Sequence, residues 1–115
     1  MGAMQKLPFY LALKAEALHI ANRTSESLDI ISEAQSLVER SGELYWYPEL
    51  QRVRAVFLAA MGAEESQIET SFREAIRTAK ERKSVSLQKR AEAAYTEYLR
   101  QKASAPRGRR IRLPL

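Results

Sequence analysis

The stretch "LALKAEALHIANRTSESLDIISEAQSLVE" (residues 11–39) decides the fold, because "QRVRAVFLAAMGAEESQIETSFREAIRTAKE" (residues 51–81) repeats its pattern. In both stretches a small residue is followed three positions later by Leu, and four positions after that by a turn residue. The matched positions are Ala15 and Ala55, Leu18 and Leu58, Asn22 and Gly62, Ser27 and Ile68, Ile31 and Phe72, and Ala34 and Ala75. Their offset of 40 to 41 residues predicts two copies of one helical hairpin, with the small residue allowing close helix approach.

Apolar residues recur at helical spacing along most of the chain, and alternation with a period of two is nowhere sustained. The predicted helices run over Leu7–Ala21, Ser25–Arg40, Pro48–Met61, Glu64–Lys83 and Val85–Lys102. The first is apolar over most of its circumference, whereas each of the others carries one apolar stripe. Leu87 and Ala91 begin a third half-repeat. The sequence therefore predicts an all-α fold of about five helices, arranged as two and a half repeats.

This order of residues resembles the tetratricopeptide repeat (TPR). "SGELYWYPELQRVRAVFLAAMG" (residues 41–62) followed by "ETSFREAIRTAKERKSVSLQKRAEAAYTEYL" (residues 69–99) is also similar to the helical C-terminal regions of large bacterial signalling ATPases and adenylate-cyclase-like regulators. The chain departs from the TPR pattern at Ser27 and Ile68, which stand where the repeat usually has Ala. The offset between its two copies also exceeds the usual repeat length of 34 residues. The resemblance implies TPR-like stacked helical hairpins at the end of a larger, cytoplasmic signalling protein.

The chain divides into three parts by composition. Residues 1–4, "MGAM", are interpreted as a remnant of an expression vector, and residues 5–102 as the TPR-like domain. Residues 103–115 carry four Arg and no acidic residue, and we expect a basic, flexible C-terminal tail that folding does not require, because it lacks apolar periodicity. The net charge of +5 is therefore concentrated toward the C-terminus.

Several classes of chemistry lack their residues. The chain has no Cys and a single His, His19, so thiolate nucleophiles, zinc-thiolate sites and catalytic sets with two histidines are excluded. Its four Gly residues are isolated, so no phosphate-binding loop is present. No apolar run is long enough for a transmembrane helix. We therefore expect no enzymatic activity, no cofactor, no metal and no membrane contact, and we place the protein in the cytoplasm.

Three aromatic residues, Tyr45, Trp46 and Tyr47, are consecutive between the two hairpins. An apolar residue just before a helix starting at Pro48 commonly packs back onto that helix, so Trp46 is predicted to anchor a corner. A ligand-contacting cluster is the alternative, although an aromatic cage normally draws its rings from separate elements as well.

The leading hypothesis for function is a non-catalytic protein-protein interaction module. The first helix of each hairpin would line a groove for a partner peptide or another part of the same polypeptide, with Arg52 free to bind a carboxylate or a backbone carbonyl. The predicted groove positions are Phe9, Glu16, His19, Glu49, Arg52, Val56, Gln88, Glu92 and Tyr95. This set suits an extended or helical peptide with apolar anchors and some positive charge. Self-association and a plain structural spacer are further alternatives.

A nucleic-acid-binding helical domain is the second hypothesis, because basic residues are concentrated near the C-terminus. The basic residues concerned are Arg73, Arg77, Lys80, Arg82, Lys83, Lys89, Arg90 and the arginines of the tail. Against it, no basic helix carries interleaved aromatic residues. Binding that weakens steeply with salt would distinguish this hypothesis from a peptide groove.

Overall fold

The computed structural model describes residues 2–106 and 109–115, with side chains from residue 10 onward. Its helices are α1 (Gly2–Ile20), α2 (Thr24–Ser41), α3 (Tyr47–Ala60), α4 (Glu65–Glu81) and α5 (Val85–Ser104), and a 3-10 turn over Leu44–Trp46 precedes α3. The described residues contain no strand, so the all-α prediction is confirmed. The largest difference in bounds is at the start of α1, which includes residues 2–4.

The helices of the two hairpins end in the same way at matched positions. Asn22 (φ 63°) follows α1 and Gly62 (φ 70°) follows α3, and both have left-handed backbone. In each case the next N–H donates to the carbonyl of the matched leucine, Leu18 at 2.8 Å and Leu58 at 3.0 Å. This six-residue bond pattern closes a helix at a left-handed residue. Lys83 (φ 56°) closes α4 in the same way, so the turns as well as the helices repeat.

Consecutive helices pack against one another, and α3 also contacts α5. Phe57 of α3, Phe72 of α4 and Tyr98 of α5 are among the largest fully buried side chains, which puts the core around α3. The matched small residues Ala15 and Ala55 are both buried, as their role in close helix contact requires.

Ser27, one of the two departures from the repeat pattern, has a structural role. Its side chain is fully buried, and its hydroxyl donates a 2.7 Å hydrogen bond to the carbonyl oxygen of Ala15. A buried hydroxyl must find such a partner, because leaving it unpaired would cost more than the bond contributes. Ser27 therefore joins α2 to α1 at the position where Ala would only make contact.

Candidate functional site

His19 lies at the C-terminal end of α1 and is only 4 % exposed. Its ring packs against Phe57 with the centroids 4.9 Å apart, and its Nδ1 is 2.9 Å from the hydroxyl oxygen of Thr24. Burial lowers the pKa of His19 below its ordinary value, and the nearby positive charge of Arg112 lowers it further. The predicted groove residue is thus a packed imidazole that faces the C-terminal segment.

Arg52, Glu49 and Val56 share one face of α3, but they do not form an open groove. Arg52 is 3 % exposed, and its Nε and Nη2 each donate a 2.9 Å hydrogen bond to the carboxylate of Glu49. Val56 is fully buried. The expectation that Arg52 is free for a partner is wrong, because a carboxylate one turn away on the same helix already satisfies its guanidinium. Arg90 of α5 also reaches this carboxylate, with Nη1 3.4 Å from Glu49 Oε2.

Tyr95 belongs to the contact between α4 and α5. Its ring stacks on Phe72 with centroids 5.3 Å apart, and its hydroxyl donates a 2.7 Å hydrogen bond to Glu69. The prediction that Tyr95 faces the groove is therefore corrected. The aromatic contact with Phe72 places its ring against α4.

The remaining predicted groove positions contribute little to a shared site. Gln88 donates a 3.2 Å hydrogen bond to Glu92, one turn further along the exposed side of α5. Glu16 is partly buried on α1. Phe9 lies outside the side chains that the structure describes. Of the nine positions, the structure brings together Glu49, Arg52 and Val56 on one face.

The C-terminal segment, residues 109–115, packs onto the core. Its backbone is irregular as predicted, but Ile111 is 7 % exposed, Leu113 is 5 % exposed, and Leu115 packs against the same core. The N–H of Ile111 donates a 2.9 Å hydrogen bond to the carbonyl oxygen of Ala59, in the last turn of α3. This corrects the expectation of a free tail for the part from Arg109 onward. The apolar residues occupy every second position, a pattern of period two that helical periodicity does not detect.

Two contacts fix the path of this segment. The N–H of Ile111 is hydrogen-bonded to Ala59 at the C-terminal end of α3. A main-chain oxygen of Leu115 accepts a 3.2 Å hydrogen bond from Arg90, which also reaches Glu49 near the N-terminal end of α3. Four steps of extended chain cover about 13 Å, and ten helical residues rise about 15 Å. The segment therefore runs antiparallel to α3 along the face formed by Glu49, Arg52, Val56 and Ala59, here called the α3 face.

The α3 face was predicted in part, but the residues that hold the segment on it were not. Ala59, Arg90, Ile111 and Arg112 were absent from the predicted groove set. The signal that could have found them is the alternation of arginine and apolar residues in "RRIRLPL" (residues 109–115). Such alternation is typical of an extended chain with one buried side.

A second polar cluster joins α4 to α5 and borders the start of the C-terminal segment. Lys102 Nζ lies 3.0 Å from Glu69 Oε2 and 3.1 Å from Glu65 Oε2. The hydrogen bond from Tyr95, and to a smaller extent that from Lys102, lowers the pKa of Glu69. The hydrogen bonds to Glu69 and Glu65 raise the pKa of Lys102 to about 12. Arg73 Nη2 also lies 3.3 Å from Glu69 Oε1. These contacts join two helices, and they engage the carboxylates that could otherwise attract a cation.

The aromatic residues between the hairpins form a corner. Trp46 is partly buried and packs against the core, while Tyr45 is exposed and meets the Trp46 ring edge-on at 5.4 Å. The hydroxyl oxygen of Tyr47 accepts a 2.9 Å hydrogen bond from Gln51. The packed-corner interpretation therefore fits Trp46 and Tyr47, and it leaves Tyr45 at the surface.

The basic residues predicted to bind nucleic acid are partly committed to carboxylates. Arg73 pairs with Glu69, Arg77 with Glu74 and Glu81, and Arg90 with Glu49.

Within the described part of the chain, no group of three His, Asp or Glu side chains is placed to hold a metal ion. None of the helices described by the structure combines the length and apolar character needed to cross a bilayer.

Comparison with known proteins identifies one similar chain. The sequence is 30 % identical over 97 residues to an uncharacterized protein of Rhizobium meliloti (strain 1021). The alignment covers 84 % of this chain but only 9 % of that relative's length. No protein-family profile matches the chain, and no solved structure matches it.

Proposed function

We propose that this chain is a non-catalytic protein-protein interaction module, a TPR-like regulatory region of a larger bacterial signalling protein. The observation that carries the proposal is the repetition of whole hairpins. The left-handed residues Asn22 and Gly62 follow matched helices, and the bonds to Leu18 and Leu58 recur at the same offset. Stacked hairpins of this kind present extended surfaces to partners rather than enclosed catalytic pockets.

The α3 face is the surface on which we expect a partner to bind. It combines buried apolar area at Val56 with a polar end, where Glu49, Arg52 and Arg90 meet. A surface of this kind suits an extended peptide, since apolar side chains supply contact area and a guanidinium fixes the peptide backbone. Arg90 takes the role first assigned to Arg52, because its side chain is about half exposed and already donates to a main-chain oxygen of Leu115.

The larger context is supported by the relative, of which this chain spans 9 %. The relative is bacterial, which agrees with the resemblance to bacterial signalling proteins, and the absence of Cys agrees with a cytoplasmic location. Signalling, regulation and cytoplasmic location are parts of this proposal.

Selection of displayed random peptides on the immobilised full chain tests the proposal. We expect enriched peptides to bind the parent chain and to bind the Arg90→Glu variant much more weakly, because the exposed guanidinium at the end of the α3 face is reversed in charge. Lys89→Glu is the matched control, since it makes the same charge change one residue away. Absence of any enriched peptide, or equal loss with both variants, would contradict the proposal.

Nucleic-acid binding is the second candidate, favoured by the exposed arginines Arg109, Arg110 and Arg112. A DNA duplex of about 20 base pairs is titrated with the chain at several salt concentrations, because phosphate contacts release counterions and give a steep salt dependence. Strong, salt-sensitive binding that is lost with Arg82→Glu and Lys83→Glu would favour this candidate. Absent or weak binding favours the peptide-binding module.

A further inference from the structure

The C-terminal segment, residues 109–115, is bound in the manner of a peptide ligand. Ile111 and Leu113 are buried, whereas Arg110 and Arg112 between and beside them are exposed. One side of an extended chain thus faces the core and the other faces solvent, as in peptides laid along a groove. The backbone is held at two places, by the carbonyl of Ala59 and by the guanidinium of Arg90.

Two surface pockets border the segment. Arg109 shares a surface pocket with Glu64, Glu65 and Ile111, at the start of α4. Arg112 shares a different pocket with His19 and Thr24, at the end of α1. The apolar positions therefore dock on the core, while the arginines line surface pockets.

From this geometry we infer that the C-terminal segment is a self-ligand that occupies the partner site on the α3 face, and that the partner is an extended peptide with apolar residues at alternate positions and arginine between them. The inference rests on the proposed function and names its ligand. α5 ends at Ser104 and the segment begins at Arg109, so the segment is tethered next to its site. A short tether gives a high effective concentration, and a partner must compete with it.

Fluorescence anisotropy with a labelled peptide of residues 109–115, RRIRLPL, tests the inference on the full chain. The Ile111→Asp, Leu113→Asp double variant places two charges in apolar sites and releases the segment. We expect it to bind the labelled peptide about tenfold more tightly than the parent chain, because the tethered competitor is gone. The reordered peptide RRRPILL, of equal composition but without alternation, is the control and should bind neither chain.

Equal affinity of the parent and the double variant for RRIRLPL would overturn the inference, because the segment would then not compete. If the double variant binds peptides from the random selection but not RRIRLPL, the self-ligand is wrong while the interaction module stands. If a folded double variant binds neither, both proposals fail. Circular dichroism establishes that the variant keeps its helices.

Two further measurements cover the remaining outcomes. If the double variant loses its helices, the nitrogen-15-labelled parent chain is titrated with excess unlabelled RRIRLPL, and the backbone amide of Ile111 in the labelled chain reports release of the segment. A shift of this resonance to the position of a released chain supports the inference, and an unchanged resonance overturns it. Sedimentation equilibrium of the parent chain tests exchange of the segment between copies, and a dimer that the double variant abolishes would overturn binding within one chain.

Discussion

The N–H of Ile111 and the carbonyl oxygen of Ala59 are joined by a 2.9 Å hydrogen bond, although 52 positions separate the two residues in sequence. This bond attaches the end of the chain to the last turn of α3, the helix around which the core is built. It makes the segment part of the folded structure, and the buried side chains on either side of Arg112 strengthen the attachment.

Replacing Ile111 with Ala should lower the free energy of unfolding by about 1–3 kcal/mol, somewhat less than a central core substitution, because the segment can partly readjust. Urea denaturation followed by circular dichroism measures the change. Arg110→Ala is the matched control and should stay within about 0.5 kcal/mol of the parent, because the side chain is exposed. Equal stability of the Ile111→Ala variant and the control would mean that the segment does not dock.

The only histidine offers a direct test of the contact between α1 and the segment. Its folded-state pKa lies below the ordinary value of 6.5, so the stability that it contributes is fully present above pH 6.5 and is lost as the pH falls through the folded pKa. An NMR titration should give a pKa below 6.5 for His19 in the parent. Arg112→Ala should raise it, because one of the two causes is removed. Arg110→Lys retains the charge and serves as the control.

Glu69 should make stability sensitive to acid. Its folded-state pKa lies below the ordinary 4.5, so its contribution is present above pH 4.5 and is lost as the pH falls through the folded pKa. The melting temperature of the parent should therefore fall more steeply below pH 4.5 than that of the Glu69→Gln variant. Glu74→Gln, on the more exposed side of the same helix, should follow the parent; identical profiles for all three chains would show that the Glu69 cluster does not contribute.

Lys83 is the one residue with a long side chain among the left-handed turn residues that close α1, α3 and α4 in the described part of the chain. Left-handed backbone costs a residue with a Cβ roughly 1–2 kcal/mol. Glycine removes this cost but makes the unfolded chain more flexible, which offsets part of the gain, so Lys83→Gly should stabilise the protein by up to about 1 kcal/mol. Gly62→Ala, at the equivalent end of α3, should destabilise it. Melting temperatures that move in the same direction for both variants would contradict the repeated turn geometry.

Overpacking tests the repeat alignment. Ala55 is fully buried at the position matched to Ala15, and Ala55→Leu should cost about 1–3 kcal/mol because the added methylenes have no space between closely packed helices. Ala93→Leu, on the exposed side of α5, is the control with the same change in volume. A melting temperature for Ala55→Leu equal to that of the parent would remove the basis for the alignment.

Much of the fold could be predicted because its signals are local. Apolar spacing gave the five helices, and Asn22 and Gly62 marked turns that the structure closes with the same bonds. The Trp46 corner could also be predicted, since an apolar residue beside a helix start packs back onto it. These features depend on residues that are close in sequence.

What could not be predicted depends on contacts between distant parts of the chain. The sequence of α3 does not reveal whether Arg52 is exposed, because its burial depends on neighbouring elements as well as on Glu49. The first helix has apolar residues on most sides, yet Leu13 and Ile20 are exposed while the matched Val53 of α3 is buried. The docking of Ile111 and Leu113 likewise depends on tertiary contacts, and their alternation is too short to be decisive alone.

Chemical-shift mapping tests the central claim, that the α3 face is the binding surface and the C-terminal segment its occupant. The full chain, uniformly labelled with nitrogen-15, is titrated with unlabelled RRIRLPL and its backbone amides are followed. The account predicts that the amide of Ile111 moves to the position of a released chain, with smaller changes at Ala59, His19 and Arg90 as one peptide replaces another. Changes confined to Arg82 and Lys83, or an Ile111 amide unmoved by saturating peptide, would contradict it.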